Sequence, residues 1–311
     1  MALAAGGPRF CLPMTVVADF IDYLRVDCGY SATTLRTYRS DLDALERWLG
    51  GVDESQDLTT VDRDLIRRWV ASEGARGVKP QTIRRMLSSL RTFFKYLLRQ
   101  GLITTDPMRL VSNPKLPRPL PAFVRENEMN RLLDHTAFPD TFAGRRDHLI
   151  LLTFYTTGMR LSELVGLNVD SFSWPRSEVK VLGKRNKHRV IPFGAELYAH
   201  LQNYLAERCR VCGTDDGPFF IDGEGRRLTA PKVRETVKHY LGLVTTAHKR
   251  TPHVLRHTFA TAMLNNGADL EAVKDLLGHE SVATTQIYTH ATFNELRQAY
   301  LHAHPRATSD E

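Results

Sequence analysis

Residues 253–264 read HVLRHTFATAML. At about 100° per residue, His253, Arg256 and His257 fall on one face of a helix. Leu255, Phe259, Ala262 and Met263 take the other face and seek a core. The polar trio is therefore expected to be presented to something, and two chemistries compete. H-x-x-x-H is half of a zinc-protease signature, which needs a glutamate beside the first histidine as general base. Val254 stands there instead, and Arg256 would set a fixed positive charge beside a dication. The pattern points away from a metal and toward an anion gripped by His253 and Arg256. If the stretch stood alone, a helix with ordinary surface histidines would explain it as well.

Three further stretches bear on the choice. In TTGMRLSELVGL (156–167), Gly158 is expected to end an apolar helix and LSELVGL to begin the next. Arg160 then sits near a helix N-terminus, where backbone amides and a planar guanidinium both suit phosphate oxygens. An exposed structural arginine is the alternative. EVKVL (178–182) and RVIPF (189–193) flank the polar GKRNKH and predict a β-hairpin with a basic tip. LLGHESVATTQIYTH (276–290) places His279 after a helix-ending Gly278, and Tyr288 nine residues later. A tyrosine, with an ordinary pKa of about 10, is a poor nucleophile unless cations surround it. Taken alone, Tyr288 reads as a packing residue.

The totals agree with an anionic partner. The chain has 311 residues, 42% of them hydrophobic, which suits a sizeable core and two domains. Lys and Arg number 42 against 35 Asp and Glu, a net charge of +7 that tilts toward nucleic acid or an anionic surface. The four cysteines (Cys11, Cys28, Cys209, Cys212) are too few and scattered for a disulfide scaffold. Cys209 and Cys212 form a lone C-x2-C with no second pair to complete a zinc site. MALAAGGPRF at the start has neither a basic nor a long apolar region and does not read as a signal peptide. The longest uncharged apolar run, LILLTFYTTGM (149–159), is too short to span a bilayer. The expectation is a soluble, cytoplasmic protein with no membrane contact.

Residues 15–100 show helical periodicity only, in four runs. Their stripes include Val17, Phe20 and Leu24; Leu35, Leu42 and Leu49 after a capping Ser31; Ile66 and Trp69; and Ile83, Leu90 and Leu97 after Pro80. From Arg63 to Arg99 there are ten basic residues and two acids, too few counter-charges for a salt-bridged surface. Arg67, Arg68, Arg84, Arg85 and Arg91 lie off the apolar stripes and are expected to contact phosphates; a solvated face is the alternative. DPMRLVSNPKLPRPLP (106–121) carries five prolines and reads as a semi-rigid linker. The expected organisation is an N-terminal domain at 1–105, the linker at 106–121, and a second domain at 122–311. The second is expected to be helical around 195–208, 231–246, 252–266, 269–277 and 291–301, interrupted by the hairpin.

TTGMRLSEL, GK in a hairpin, HVLRH, LLGH and IYTH, in that order, resemble the tyrosine site-specific recombinases of the phage integrase family. The ending YTHATFNELRQAYLHAHPRA looks most like the Xer recombinases, of the XerC rather than the XerD type. The resemblance implies a mainly α fold. An N-terminal four-helix DNA-binding domain would be joined to a mixed helical catalytic domain with a small β-hairpin. It also implies that Tyr288 attacks a DNA phosphodiester to form a 3′-phosphotyrosyl link, with no metal and no cofactor. Arg160 and Arg256 would clamp the phosphoryl oxygens, His279 would donate a hydrogen bond, and His253 would shuttle the tyrosine proton. Among the basic residues near the hairpin tip, the family pattern selects Lys184 to protonate the leaving 5′-oxygen over its rival Lys187. Arg185 and Lys187 would contact DNA. Glu163 would brace the arginine pocket, and His257 would be structural. Implied partners are a double-stranded recombination site, a homo-tetramer or a hetero-tetramer with a second Xer-type recombinase, and a DNA translocase as activator. The helix near 291–301 would offer Phe293, Leu296, Tyr300 and Leu301 to a neighbouring subunit, or fold back on its own domain. Resolution of chromosome dimers is the leading role. A mobile-element integrase, a non-cutting DNA-binding protein and a type IB topoisomerase-like relaxase are the competing ones.

Overall fold

The computed structural model describes residues 15–52, 57–116, 122–183, 188–247, 249–278 and 290–307, with the side chains of 290–293 excepted. The chain divides into two compact units, Met1–Pro119 and Leu120–Glu311.

In the first unit the helices are α1 (Val16–Val26), α2 (Ala32–Val52), α3 (Arg63–Ala75) and α4 (Pro80–Arg99). Each starts where local chemistry favours it. The Thr15 and Asp62 side chains accept amide bonds from Ala18 and Leu65, and Pro80 opens α4 where no amide donor is needed. Their apolar stripes converge on one core containing Phe20, Leu42, Trp69, Leu90, Phe93 and Leu97. Met108 and Val111 belong to the same core, so the first half of the proline-rich stretch packs on this unit.

The basic face of α3 and α4 has more partners than the sequence count suggested. Arg85 reaches the buried Asp41 of α2 at 2.6 Å, and the Ser89 hydroxyl donates to the same carboxylate oxygen. The counter-charge comes from a helix outside the counted window. Arg91 donates to the Val111 carbonyl and the Asn113 side chain. Arg67 lies 3.4 Å from Asp64, and Arg68 sits 6.0 Å from the Trp48 ring centre. Arg84 is exposed.

The second unit is built around α6 (Phe142–Thr157), which is buried on every side from Leu149 to Thr157. Against it pack α8 (Ala195–Cys212) and α10 (Pro252–Asn265), with α5 (Glu126–Asp134) and α9 (Ala230–Val244) alongside. The short α7 (Leu161–Gly166) follows α6 directly. The expected hairpin is present as β2 (Glu178–Leu182) and β3 (His188–Pro192), antiparallel with Val179 opposite Ile191 and Leu182 opposite His188. Val179 and Val181 point inward as the alternation required. A two-residue strand, β1 (Phe172–Ser173), pairs with β2 and widens the hairpin into a three-stranded sheet. The tip carrying Lys184, Arg185 and Lys187 lies outside the described residues.

The last helices are α11 (Leu270–Leu277) and α12 (His290–Ala303). On the apolar face of α12, Leu296 and Tyr300 are buried and Leu301 is half-buried; the side chain of Phe293 lies outside the described residues. Leu296 and Tyr300 pack with Phe259, Met263, Val273, Leu276 and Leu277 of the same unit. Cys212 ends α8 and its thiol donates to the Thr214 carbonyl at 3.2 Å.

Candidate active site

Two helices end in glycine at the centre of the second unit. Gly158 follows α6 with φ +58°, and Gly278 follows α11 with φ +63°. Both occupy the left-handed region that closes a helix at low cost only for glycine. Both are also crowded. A Cβ on Gly158 would lie 2.5 Å from Phe259 Cδ1, and one on Gly278 would lie 2.9 Å from Arg189 Cδ. The chain therefore brings the carbonyl-rich, electronegative ends of α6 and α11 close to α10 and β3.

Three guanidinium groups fill the space between those ends. Arg256 donates to the Gly158 carbonyl at 2.8 Å and the Leu277 carbonyl at 2.6 Å. Arg160 donates to the Gly278 carbonyl at 2.9 Å. Arg189 donates to the Leu276 carbonyl at 3.2 Å. One carboxylate joins the set. Glu163 Oε1 accepts from Arg160 at 2.9 Å and Arg189 at 2.5 Å; its Oε2 accepts from Arg189 at 2.8 Å and from the Arg160 backbone amide at 2.6 Å. This amide bond caps α7, so Glu163 fixes both the backbone and the side chain of Arg160.

The electrostatics follow from burial. Arg256 is only 6% exposed. Desolvation, and then the positive charges of Arg160 and Arg189, push its pKa down to about 10, with Glu163 offsetting part of the shift. It stays charged at neutral pH. Burial would raise the Glu163 carboxyl, but hydrogen bonds and charge from Arg189, and then those from Arg160, prevail and hold it below its usual range. Carbonyl dipoles and one carboxylate thus stabilise three like charges that would otherwise repel.

Within the polar face read from 253–264, exposure differs: Arg256 is buried because that side of α10 is turned toward the ends of α6 and α11. His253 is exposed, in the otherwise buried first turn of α10, one turn before Arg256. His257 is half-buried and meets the Phe123 ring edge-on at 6.5 Å. Arg160 and Arg256 are brought together at the end of α11, and Glu163 contacts Arg160 directly. Lys184, His279 and Tyr288 lie outside the described residues; Gly278, immediately before His279, is part of the cluster.

Sequence reasoning missed the place of Arg189. It appeared only as one of several basic residues near the hairpin tip. Its register was the usable signal: Arg189 stands two positions before the buried Ile191 and opposite the buried Val181, so strand alternation turns it to the inner face.

A model of the phage integrase family matches residues 122–295, and one of the phage integrase N-terminal SAM-like domain matches residues 17–101. Tyrosine recombinase XerC of Thermodesulfovibrio yellowstonii is 36% identical over 300 residues, covering 95% of this chain and 98% of that one. Tyrosine recombinase XerD of Yersinia pestis is 38% identical over 296 residues, covering 94% and 98%. XerC and XerD relatives match alike, so the likeness is to the Xer group as a whole. Among solved structures, the XerH site-specific recombinase bound to palindromic difH substrate, in a post-cleavage complex, has a TM-score of 0.69 at 21% identity. It covers 92% of this chain and 83% of its own. That likeness concerns the fold.

Proposed function

Since the chain belongs to the phage integrase family and is a tyrosine-type site-specific DNA recombinase, we propose that it exchanges strands at a short chromosomal site and resolves chromosome dimers. Tyr288 attacks the scissile phosphodiester, forming a 3′-phosphotyrosyl link and releasing a 5′-hydroxyl. That hydroxyl then attacks the phosphotyrosine of a partner strand. One phosphodiester is exchanged for another, so the bond chemistry needs no nucleotide cofactor. The transition state gathers negative charge on the phosphoryl oxygens. Arg160 and Arg256 clamp those oxygens with charge-assisted bonds oriented before reaction, and His279 adds another donor. His253, exposed at the start of α10, moves the tyrosine proton, and Lys184 protonates the leaving oxygen. Arg67, Arg68, Arg84, Arg85, Arg185 and Lys187 contact the DNA backbone, whereas Arg91 is engaged by Val111 and Asn113 instead.

The observation that carries this reading is the buried arginine cluster. Three guanidinium groups sit on helix C-termini with one carboxylate among them, which is a costly arrangement unless an anion is to be met there. Each active site cuts one strand, so exchange between two duplexes takes four protomers, either of this chain alone or with a second Xer-type recombinase. A lambda integrase tetramer bound to a Holliday junction is among the solved structures of similar fold. Activation by a DNA translocase belongs to the same reading. The Xer names of relatives that match nearly the whole chain favour a chromosomal role over a mobile-element one.

The test is covalent trapping on a nicked suicide duplex carrying the candidate site, found by footprinting genomic fragments. Wild type should form a protein–DNA adduct stable to denaturation. Tyr288→Phe should form none while binding the duplex with unchanged affinity. Adduct formation by Tyr288→Phe would remove Tyr288 from its assigned role. Plasmid relaxation by monomers without site preference would favour the topoisomerase-like reading.

A further inference from the structure

We infer that Arg189 is a positioning residue for the cleavage step: it neutralises Glu163, so that the full charge of Arg160 remains available to the scissile phosphate. The inference rests on the recombinase reading above.

The geometry gives Glu163 two claimants. Arg160 needs it, because Glu163 caps the amide of Arg160 and holds one of its nitrogens at 2.9 Å. Alone, that pair would place a full negative charge beside the guanidinium meant for phosphate. Arg189 takes up that charge through a two-pronged contact, one nitrogen to each carboxylate oxygen at 2.5 and 2.8 Å. Such a fork is the geometry in which arginine binds a carboxylate most strongly. The side chain of Arg189 is 10% exposed, against 27% for Arg160. Arg160 is therefore the one of the two with surface to offer a ligand. Arg189 also donates to the Leu276 carbonyl, and its aliphatic shaft lies where a Cβ on Gly278 would stand. It thus ties β3 to the end of α11, immediately before His279.

Charge arithmetic sets the consequence. Arg160, Arg189 and Arg256 with Glu163 carry a net +2. A phosphodiester carries one negative charge, and the pentacoordinate transition state approaches two. Loss of Arg189 leaves a net +1 in a buried site, where electrostatic interactions are poorly screened. The cost falls on the transition state more than on the bound duplex, because only the former needs the second positive charge. Arg189 touches no reacting atom in this account. Its effect passes through Glu163 and Arg160.

Single-turnover adduct formation on the suicide duplex tests this. Arg189→Met should slow cleavage roughly 10- to 100-fold, with duplex affinity unchanged. The double variant Glu163→Gln/Arg189→Met keeps an acceptor for the Arg160 amide and restores the net +2. It should regain about 10-fold over Arg189→Met. A merely structural role for Arg189 predicts no such rescue. Cleavage by Arg189→Met at the wild-type rate, or a double variant no faster than the single one, would overturn the inference. If Arg189→Met fails to fold, the double variant, which removes the buried carboxylate together with its partner, decides alone. A rate within about 10-fold of wild type supports the inference, and a slower one overturns it. Absence of adduct from wild type would overturn the recombinase reading itself and this inference with it, so the two failures are distinguishable.

Discussion

At the scale of single residues, Gly158 shows how backbone and chemistry constrain each other. Its carbonyl receives Arg256, its φ of +58° is open to glycine at little cost, and a Cβ would strike Phe259 at 2.5 Å and Leu277 at 2.9 Å. Gly158→Ala should therefore cost about 2–4 kcal/mol, from backbone strain and overpacking together. Urea unfolding should report the loss, and cleavage should slow as the Arg256 carbonyl anchor shifts. Gly50 is the control, because it lies inside α2 with a negative φ and open space where a Cβ would go. Gly50→Ala should stabilise the protein by roughly 0.5–1 kcal/mol through helix propensity. The same contrast explains what the sequence could reveal about the site. Arg160 and Arg256 were legible because ordered motifs surround them. Arg189 was not, since its partners Glu163 and Leu276 are 26 and 87 residues away in sequence and no local pattern pairs them.

At the scale of elements, long periodic segments were legible, and short ones only where a turn signal or an alternation marked them. The helices α1 to α4 each run for about three turns or more, so a wrong period would have shown. The nine residues of α5 carry only Met129, Leu132 and Leu133 inward, and β1 has two residues; neither is long enough to establish a period. The destination of α12 stayed open for another reason. Its apolar face was legible, but its destination depends on tertiary structure. The tail beyond it is fastened by Arg306, which reaches Glu196 on α8 at 2.5 Å and also Asp134 and Asn130 on α5. Arg306→Ala should lower the melting temperature of the second unit by roughly 4–8 °C, corresponding to about 2 kcal/mol.

His304, in the same tail, gives that fastening a pH dependence. The ring is 3% exposed and stacks on Phe259 and Tyr300. Its Nδ1 accepts from the Arg306 amide at 3.1 Å, so Nε2 carries the hydrogen donated to the Tyr155 carbonyl at 3.0 Å. The neutral ring is fully bonded, and a second proton has no place. Burial first, and the Arg306 charge to a lesser degree, hold its pKa down to about 4 from 6.5, against a raising contribution from the Tyr155 bond. The unfolded chain therefore takes up this proton before the folded one. The stabilisation is whole above about 6.5 and is lost as pH falls toward 4, up to about 3 kcal/mol. His148 and His200, lowered mainly by burial, act in the same direction. Melting between pH 7 and 4.5 should show the decline, and His304→Gln should flatten it. An unchanged slope in the variant would remove His304 as its source.

At the scale of the whole molecule, the two units have separate cores and unequal charge. Residues 1–119 carry 18 Lys and Arg against 13 Asp and Glu, a net +5; residues 120–311 carry 24 against 22, a net +2. Most of the excess positive charge lies away from the arginine cluster, which suggests separate duties. The first unit would supply general backbone attraction, and the second would supply chemistry. Phosphate contacts release counterions, so each one steepens the fall of affinity with salt. Expressed alone, 1–119 and 120–311 should each melt cooperatively, and each should bind duplex with a shallower salt slope than the full chain. Within the first unit the arginines should separate by occupancy. Arg84 is exposed and makes no ion pair among the described residues, whereas Arg91 is held by Val111 and Asn113. Arg84→Ala should reduce the slope of log affinity against log salt by about 1 without shifting the melting temperature. Arg91→Ala should instead lower the melting temperature and leave the slope nearly unchanged. Fluorescence anisotropy from 50 to 200 mM salt, about the range over which such slopes are resolved, distinguishes the two. Equal slopes for Arg84→Ala and wild type would turn the basic face of α4 into a solvated surface and leave DNA attraction to other residues.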